Sequence, residues 1–521
     1  MSVFRHIVLA AAACLAAVIA VRVFSGPFSL VLPVQTPLNA EGFFGLAITV
    51  LLLAADKAGP EPRPGVETRR TALVWIALAV AAFSVLCLVR SLAIYFLSDD
   101  FILVTMAHAG AGNLRHLFTT GGGDGFYRPI VTVYLALESA WASFDSVRWH
   151  ASGLALHTLN SVLVALLALR LRTSSLGALF AGALFAVHGT RPEAAVWIAA
   201  RFDLVATFFV LSAFLLFVES GSRSGILRLA LQGAALICSV LAVLSKESAY
   251  IFPFLLLLYV LSERGRAGLR KRDVLPFFLA AGLVFAYRWS LFRGIGGYIV
   301  SQTGQPQALS FGLPTTLKAV AVRLWAALYL PINWSAEPSG PMGVLAAGYL
   351  AALGWLALRS RPSRRLWVAF GWVMLAIVPP LSLLGFGPDL RNCRVLYLPS
   401  AGFCIFLAIA VDGLGGRFRY LVAALILSFN VVALHHNLDL WQYASAKVKD
   451  ACFVAQADGT GSITVWGLPT HIRGVPSFAN GFRECAEIAG RRRIEVHMDP
   501  SKSADALVWD RATETLVRAK N

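Results

Sequence analysis

Charged residues are scarce in this sequence. Asp, Glu, Lys and Arg together make up 14% of its 521 residues, while 58% are hydrophobic. A soluble domain usually has about 25% charged and about 45–50% apolar residues. The composition therefore excludes an ordinary soluble protein and indicates a polytopic membrane protein. The net charge is +17, but the basic residues cluster in short loops between apolar segments. This is the positive-inside pattern of membrane proteins and argues against nucleic-acid binding.

Cysteine motifs and internal repeats are missing as well. The seven cysteines show no spacing typical of metal ligands. Four of them fall in apolar segments, namely Cys14, Cys87, Cys238 and Cys404. Cys452 and Cys485 lie in a tail that we expect on the outer side of the membrane, where oxidising conditions would allow a disulfide. The sequence shows no inverted repeat, which is the pattern that secondary transporters favour.

The apolar segments predict a bundle of spanning helices, each of which needs ~17–25 residues. Several segments are short and require tilt or a thin bilayer. Segment 314–334 carries Lys318, Arg323 and Trp325 and is predicted to be an interfacial or re-entrant helix instead. The candidate spans are 7–24, 40–56, 72–97, 151–170, 175–189, 203–219, 226–244, 249–263, 274–292, 342–359, 366–384, 398–413 and 418–435.

Basic loops predict the orientation of the bundle. The loops with Arg69/Arg70, Arg170/Arg172, 264–272, 359–365 and Arg417/Arg419 all become cytoplasmic if the first segment starts inside, behind Arg5. We favour a retained first segment over a cleaved signal peptide, because no convincing cleavage site follows it. The regions predicted outside are then 98–150, 188–203, 293–341, 385–397 and the tail from 437.

Two adjacent carboxylates stand out in the stretch SLAIYFLSDDFIL, residues 91–103. Asp99 and Asp100 follow directly after a predicted span, and the apolar stretch FILVTMAHAG resumes at once. The pair is therefore predicted at the outer membrane surface, pressed against the bilayer.

Further ionisable residues gather in the same outer regions. Ionisable groups at membrane depth cost ~2.5–3.5 kcal/mol each, so this clustering indicates a shared site or a salt-bridged network. On the helix WHASGLALHTLNSVL, His150, His157 and Asn160 share one face, where helix–helix hydrogen bonding and a role in the site both remain open. The outer residues are Arg128 in the first loop, His188, Arg191, Glu193, Arg201 and Asp203 in HGTRPEAAVWIAARFDL, Lys246 and Glu247 in LSKESAY, and Asp389, Arg391, Arg394 and Tyr397 in GFGPDLRNCRVLYLP.

These residues fall into two chemical groups. The carboxylates suit a general base or a divalent metal, and the arginines suit a phosphate, which a guanidinium grips with two parallel hydrogen bonds. A base beside a phosphate clamp at the membrane surface fits attack by a hydroxyl with a lipid phosphate as leaving group. The groups are Asp99, Asp100 and Glu193 on one side, and Arg128, Arg191, Arg201, Arg391 and Arg394 on the other.

Six segments in order over residues 95–435 resemble the integral-membrane glycosyltransferases of the GT-C fold, particularly the protein O-mannosyltransferase-like group that includes the TMTC proteins. The segments are SDD after a long helix, YRPIVTVYLALESAW, WHASGLALHTLNSVLVALL, FAVHGTRPEAAVWIAARFDLVATFF, LAVLSKESAYIFPFLLLL and RVLYLPSAGFCIFLA. The resemblance implies an all-α polytopic fold with about 11–13 transmembrane helices and a large first outer loop, 98–150, that carries a catalytic acidic pair.

The resemblance also implies chemistry. Such enzymes take a sugar from a polyprenyl-phosphate donor and invert the anomeric centre, and either Asp99 or Asp100 matches the general base. A positioned base contributes ~10²–10⁴ in rate. We expect the donor phosphate to meet Arg128, Arg391, Arg394 and Arg201. We expect acceptor binding or structural support from His157, His188, Arg191, Glu193, Asp203, Lys246, Glu247 and Tyr397.

The sequence departs from this family at several points. The family's second outer motif reads like HPxHxEAVAW, whereas this chain has HGTRPEAAVW, in which His188 and Glu193 match and Arg191 replaces a histidine. This weakens the case for a metal there, although Mg²⁺ or Mn²⁺ stays open, with Asp100 and Glu193 as candidate ligands. The tetratricopeptide repeats common in the TMTC group are absent after residue 435.

The chain divides into three predicted regions. Residues 1–70 hold two additional helices, 71–436 form the catalytic core, and 437–521 form a small extracytoplasmic α/β domain that serves as a cap or presents an acceptor. In this tail, SITVWGLP predicts a strand and turn, FANGFRECAEIAG a helix, RRIEVHM a strand and ALVWDRATETLVRA a hairpin.

The leading hypothesis is a glycosyltransferase of the bacterial inner membrane, with the site and tail on the periplasmic side. It would move a mannose-like hexose or another sugar to a protein, glycan or lipid hydroxyl. The alternatives are a flippase or transporter of lipid-linked glycans, a polysaccharide polymerase or ligase, and an inactive scaffold on the same fold. Transporters favour charge at the midplane, whereas the charges here are predicted at one face.

Overall fold

The computed structural model describes most of the chain, namely residues 3–29, 33–34, 37–54, 70–110, 114–120, 125–264, 271–300, 305–306, 312–338, 340–359, 363–457, 461–490, 493–498 and 506–519. Residues 265–270 and 360–362 of the predicted basic loops, and Arg69, lie outside these described ranges.

Helices dominate the structure. Short 3₁₀ or π segments adjoin several of them, at Val89–Ala93, Pro192–Val196, Ile198–Ala200, Glu247–Ile251, Ala319–Arg323, Leu381–Leu383 and Cys393–Leu396. The α-helices in chain order are α1 (Val3–Ser25), α2 (Leu38–Leu53), α3 (Arg70–Leu88), α4 (Asp99–His108), α5 (Leu114–Thr119), α6 (Pro129–Ala142), α7 (Ser146–Arg170), α8 (Ser175–Val187), α9 (Arg201–Ser220), α10 (Gly225–Val243), α11 (Phe252–Arg264), α12 (Lys271–Phe292), α13 (Leu313–Lys318), α14 (Leu324–Tyr329), α15 (Gly340–Arg359), α16 (Arg364–Ala376), α17 (Tyr397–Asp412), α18 (Phe418–Ala457) and α19 (Phe482–Gly490).

The predicted membrane bundle is confirmed. Within the described ranges nine helices are long and apolar enough to cross a bilayer, with α3, α9 and α17 counted together with the 3₁₀ segments that adjoin them: α1, α3, α7, α9, α10, α12, α15, α17 and α18. The other predicted spans form helices too, but α2 has 16 residues and α8, α11 and α16 have 13 each. They fall short of the ~17 residues that an upright span needs.

Local sequence explains where some helices begin and end. Ser174 and Ser363 are N-caps, because their hydroxyls accept the N–H groups of Gly177 and Leu366. Pro129 occupies the first turn of α6, where its missing N–H costs nothing.

Helix α17 lies at the centre of the bundle. In an 18-residue apolar stretch of this segment 94% of the residues are buried, whereas in the corresponding stretch of α12, which is peripheral, 17% are buried. It packs against α8, α9 and α16. Gly402 allows α16 to approach, since a Cβ at this position would lie 2.5 Å from the Trp372 ring. The loop that leads into α17 is therefore held over the middle of the bundle.

The segment predicted as interfacial or re-entrant enters the protein interior. Helix α13, the π segment Ala319–Arg323 and α14 follow one another without a break, and every residue of α14 is buried. This end packs against α2, where the Tyr329 hydroxyl lies 2.9 Å from the hydroxyl of Thr49. Aromatic packing thus buries the C-terminal half of the segment.

The tail forms the small α/β unit that the sequence predicts. Its four-stranded sheet has the order β10-β9-β5-β8, in which β5 pairs in parallel with β8 and β9, and β9 and β10 form an antiparallel hairpin. The strands are β1 (Phe28–Ser29), β2 (Pro33–Val34), β3 (Ile299–Val300), β4 (Gln305–Pro306), β5 (Ser462–Trp466), β6 (His471–Ile472), β7 (Val475–Pro476), β8 (Glu495–Met498), β9 (Leu507–Asp510) and β10 (Thr515–Arg518).

Helix α18 joins the bundle to this tail. It runs for 40 residues, so the predicted domain boundary at 436/437 falls inside an unbroken helix. At that point Asn437 holds the neighbouring loops, because its side-chain amide donates to the carbonyls of Gly189 and Pro331 at 2.7 and 2.8 Å. The predicted disulfide is confirmed: Cys452 of α18 is bonded to Cys485 of α19.

Candidate functional site

The acidic pair lies at the start of α4, and its two members have different surroundings. Asp100 is completely buried. Its Oδ2 accepts the N–H of Leu97 at 3.1 Å, and its Oδ1 accepts the N–H of Ala199 at 2.9 Å. Burial raises the pKa of the Asp100 carboxyl well above its ordinary value, against the opposing effect of the two N–H groups. Asp100 therefore attaches α4 to the turn before α9.

Asp99 is the member of the pair that solvent reaches. Its side chain is partly exposed, and its Oδ1 accepts a hydrogen bond of 2.7 Å from the amide of Asn480 in the tail. The preceding residue, Ser98, has φ +50°, a left-handed conformation that is rare for residues other than glycine. The N–H of Ser98 donates to the carbonyl of Ser477 at 3.1 Å. The tail therefore holds the turn that presents Asp99.

Trp197 connects the acidic pair to the loop before α17. Its indole N–H donates to the carbonyl of Leu97 at 3.2 Å, next to the pair. The guanidinium of Arg394 lies over the same indole ring, 4.7 Å from its centroid. Trp197 thus links the backbone next to the acidic pair to the guanidinium of Arg394, which comes from a distant part of the sequence.

Glu193 fixes the backbone of that loop. Its carboxylate accepts the N–H groups of Asn392 and Arg394 at 3.1 and 3.0 Å, and the Arg394 guanidinium at 2.7 Å. Burial raises the pKa of Glu193, while Arg394 acts in the opposite direction. Arg391 is half exposed and pairs with Asp389 at 2.5 Å, so it lies at the rim.

A second set of charges lies beside the start of α6. The Arg128 guanidinium contacts Glu247 with two nitrogens, at 3.0 and 2.7 Å, and Arg288 reaches the same carboxylate at 2.8 Å. Burial raises the pKa of Glu247, but the two guanidinium groups outweigh it and lower the pKa overall. Lys246 pairs with Asp203 at 2.5 Å.

The positive charges of the two sets, the one around Glu193 and the one beside the start of α6, act on one another. Burial lowers the pKa of the Lys246 amine, and the charges of Arg128 and Arg394 lower it further, while Asp203 opposes both. Counting the groups in these pairs gives a surplus of cations, because Arg128, Lys246, Arg288 and Arg394 face only Glu193, Asp203 and Glu247. Such a cluster suits an anion with a single negative charge, such as a phosphodiester.

Arg201, expected at the donor phosphate, lies elsewhere. Its guanidinium is fully buried and pairs with Glu138 of α6 at 3.2 Å. It also donates to the carbonyl of Trp149 at 2.5 Å. The guanidinium fills space left by Gly153, where a Cβ would lie 2.4 Å from it. In this position Arg201 neutralises Glu138 and joins α6, α7 and α9, so it does not face the cation cluster.

Three more of the expected site residues are buried in the bundle. His157 lies 2.7 Å from the Tyr397 hydroxyl and 3.0 Å from the carbonyl of Ala186. His188 lies 2.8 Å from the carbonyl of Leu328. These contacts join helices and loops beneath the site.

Arg191 lies in the same buried layer. Its guanidinium donates to the carbonyl of Phe185 and to the hydroxyl of Ser400, at 2.6 and 2.8 Å. It also lies 5.1 Å from the ring centroid of Tyr397. These residues support the site from below.

The candidate metal ligands do not fit a metal. Asp100 and Glu193 direct their carboxylate oxygens at backbone N–H groups or at Arg394, which leaves poor geometry for a cation. Among the residues that the structure describes, no group of three or more His, Cys, Asp or Glu side chains is arranged to hold a metal ion.

Sequence reasoning missed four residues that shape this region. Glu138 had a signal, as a single carboxylate inside the apolar run VTVYLALESAW, and Trp197 is the last residue of the outer motif HGTRPEAAVW. Arg288 and Asn480 had none, because their partners Glu247 and Asp99 are distant in sequence.

Comparisons with known proteins agree with the resemblance found in the sequence. No family model matches the chain. The chain is 24% identical over 436 residues to protein O-mannosyl-transferase TMTC4 of Mus musculus, a match that covers 69% of this chain and 58% of the relative. It is 32% identical over 149 residues to protein O-mannosyl-transferase Tmtc1 of Drosophila melanogaster, covering 27% of this chain and 17% of the relative. The chain thus spans less than two thirds of these relatives.

Two solved structures have a weak structural likeness to the chain. The oligosaccharyltransferase AglB from Archaeoglobus fulgidus, in complex with an inhibitory peptide and a dolichol-phosphate, gives a TM-score of 0.45 at 13% identity, covering 84% of this chain and 65% of AglB. ArnT from Cupriavidus metallidurans bound to undecaprenyl phosphate gives 0.38 at 14% identity, covering 83% and 90%. In sequence, the chain is similar to the protein O-mannosyl-transferases of the TMTC group, as its motifs predict.

Proposed function

We propose that the chain is a membrane glycosyltransferase that moves a sugar, a mannose-like hexose or another, from a polyprenyl-phosphate donor to a hydroxyl acceptor. The observation that carries the proposal is the arrangement around Trp197. Its indole donates to the backbone next to the acidic pair, in which Asp99 is partly exposed, and its ring carries the guanidinium of Arg394, which belongs to a surplus of cations. The similarity to protein O-mannosyl-transferases supports the same reaction class.

Asp99 is the proposed general base. It is the only member of the acidic pair with an exposed surface among these described residues, and its buried neighbour Asp100 already accepts two N–H groups. In the proposed step the acceptor oxygen bonds to the anomeric carbon and gives its proton to Asp99. The bond from the anomeric carbon to the phosphate oxygen breaks, and its electron pair leaves with the polyprenyl phosphate. Attack opposite the leaving group inverts the anomeric centre.

Arg128, Lys246 and Arg394 are the proposed phosphate ligands. Each is partly exposed, with 17–25% of its side chain accessible, although each is paired with a carboxylate. A lipid phosphate entering between them would meet the surplus positive charge, which also stabilises the second negative charge that develops as the sugar leaves. Arg391 at the rim is proposed to meet the incoming headgroup first.

The proposed location is the bacterial inner membrane, with the site and the tail on the periplasmic side. The positive-inside pattern of the sequence supports this orientation. The disulfide between Cys452 and Cys485 also supports it, because disulfides persist in oxidising compartments such as the periplasm.

The proposal is tested with the purified full chain and undecaprenyl-phosphate hexoses carrying a radiolabelled sugar, with an envelope extract of the source cell as acceptor. We expect transfer of label from at least one hexose donor, together with release of undecaprenyl phosphate. Asp99→Asn should lower the rate by about 10²–10⁴ while the protein remains folded. Transfer at the wild-type rate by Asp99→Asn, or no transfer from any lipid-linked hexose, would overturn the proposal.

A further inference from the structure

The tail lies directly on the acidic pair, although the two are far apart in sequence. The turn between β7 and α19, residues 477–481, contacts residues 98–102 at the start of α4. Asn480 and Asp99 are 381 residues apart in the chain, yet the amide nitrogen of Asn480 lies 2.7 Å from Oδ1 of Asp99. Helix α19 packs against α4 beside this contact.

The turn has no room to shift. Gly481 has φ +79°, and a Cβ at this position would lie 2.6 Å from the carbonyl oxygen of Ser98. The Ser98 N–H in turn donates to the Ser477 carbonyl at 3.1 Å. The tail and the turn before α4 therefore hold each other at two backbone points, with the Asn480 side chain between them.

Helix α19 also fixes the position of the turn. The N–H of Cys485 donates to the Gly481 carbonyl at 2.9 Å, which attaches the turn to the first turn of α19. The disulfide then joins α19 to α18 and so to the membrane bundle.

The same part of the tail reaches the loop that carries the rim arginine. Gly474, between β6 and β7, lies so close to Asp389 that a Cβ would be 2.6 Å from its carbonyl oxygen. The amide of Asn333 donates to the carbonyl of Arg473 at 3.2 Å. Residues 471–481 thus extend from the loop of Arg391 to Asp99, the two ends of the proposed site.

We propose that the tail completes the active site and that Asn480 is a positioning residue, whose amide holds the Asp99 carboxylate in place as the general base. This inference rests on the proposed function and deepens it. With Oδ1 engaged by the amide, Oδ2 takes the acceptor proton. The acceptor hydroxyl accordingly binds in a space with one wall from the bundle and one from the tail.

The amide should affect the charge state of the base as well as its position. A hydrogen bond donated to a carboxylate stabilises the charged form, which is the form that accepts a proton. The acidic limb of the pH profile of kcat should then move to higher pH. A residue that only stabilised the fold would lower the rate equally at all pH values.

The test uses the full chain in the transfer assay described above, with the undecaprenyl-phosphate hexose that gives transfer. Asn480→Ala should lower kcat about tenfold on the acidic limb, with less loss at higher pH and an unchanged KM for the donor. Asn480→Asp, which places a second carboxylate beside Asp99, should move the limb further. Asn480→Gln, which keeps the amide, should restore part of the rate. Arg483→Ala, an exposed change on α19 whose side chain pairs with Glu484, is the matched control and should behave as wild type.

A second variant displaces the turn of the tail, residues 477–481, and leaves the Asn480 side chain unchanged. Gly481→Val requires a Cβ where the Ser98 carbonyl lies, so it should push the turn off the acidic pair and give the same displacement of the acidic limb. A wild-type pH profile in both Asn480→Ala and Gly481→Val would overturn the inference. If Asp99→Asn lowers the rate in the same experiment, the proposed function survives that failure, whereas an Asp99→Asn variant with full activity refutes the proposed function itself.

Discussion

Replacing Asp100 should weaken the fold, whereas replacing Asp99 should weaken catalysis. In Asp100→Ala, the N–H groups of Leu97 and Ala199 both lose their acceptor. A buried donor left without a partner costs about 1–3 kcal/mol, so the two together predict a loss of about 2–6 kcal/mol in the free energy of unfolding. Asp100→Asn keeps one acceptor oxygen and should lose about half as much.

The stability difference between wild type and Asp100→Asn should also depend on pH. Burial raises the pKa of Asp100 above its ordinary value of 3.8, so the folded state holds this proton more tightly than the unfolded state. The stability that the protonated carboxyl contributes is fully present below the unfolded pKa. It is lost as the pH rises through the folded pKa. The advantage of wild type over the asparagine variant should therefore shrink as the pH increases.

Thermal unfolding in detergent with a thiol-reactive dye measures this effect. Cys393 and Cys404 are free and buried, so the dye reports their exposure when the bundle opens. Asp99→Asn, at a partly exposed position, is the matched control and should unfold like wild type. Asp100→Ala with wild-type stability, or a difference between wild type and Asp100→Asn that stays constant across pH, would refute the assignment of Asp100 as a buried anchor.

Four further variants test the remaining contacts. Arg394→Ala should raise the KM for the lipid-linked donor about tenfold or more, because a charge-assisted contact is lost, and Arg391→Ala at the rim should have a smaller effect in the same transfer assay. Glu138→Gln should destabilise the bundle by about 3–5 kcal/mol in the dye assay, since it leaves a buried guanidinium without its carboxylate. Replacing Cys452 and Cys485 by serine should lower the free energy of unfolding of the tail by about 2–4 kcal/mol, and limited proteolysis measures this change.

Each of these outcomes has a control or a contradicting result. An equal KM in Arg394→Ala and wild type would remove Arg394 from the phosphate site. For Glu138→Gln the control is Arg90→Gln, which breaks an exposed pair with Asp439 and should cost less than about 1 kcal/mol. Unchanged proteolysis of the double serine variant would mean that the contacts of α19 hold the tail without the disulfide.

The sequence predicts the helices well because the property that forms them is local. A run of apolar residues must bury or satisfy its backbone within the membrane, and a helix does this within one segment. The candidate spans accordingly appear as helices throughout the described residues. The strands of the tail follow for a similar reason, since apolar residues and turn residues alternate in short runs such as SITVWGLP.

The site was only partly predictable, because its geometry depends on pairs that are distant in sequence. Composition and spacing predict that Asp99, Arg128, Lys246 and Arg394 lie at one end of the bundle. They do not reveal which cations are already neutralised: the partner of Arg201 lies 63 residues earlier in the chain, at Glu138. Asn480 could not be identified, since an asparagine in a tail turn carries no signal without the contact to Asp99.

The distribution of charge along the central helix favours transfer over transport. The proposed site lies before the start of α17, and the opposite end of α17 carries Asp412, whose carboxylate accepts the backbone N–H and the hydroxyl of Ser174. Between them every residue from 403 to 411 is apolar and buried, a length of about 13 Å of helix. A transporter for a phosphate headgroup would need polar groups near the midplane, reached from both sides. Here the most buried helix of the bundle separates the two charged ends with close-packed apolar side chains. We therefore expect the cation surplus and the exposed carboxylate to meet a substrate that arrives from one face, as the proposed transfer of a sugar from a lipid carrier requires.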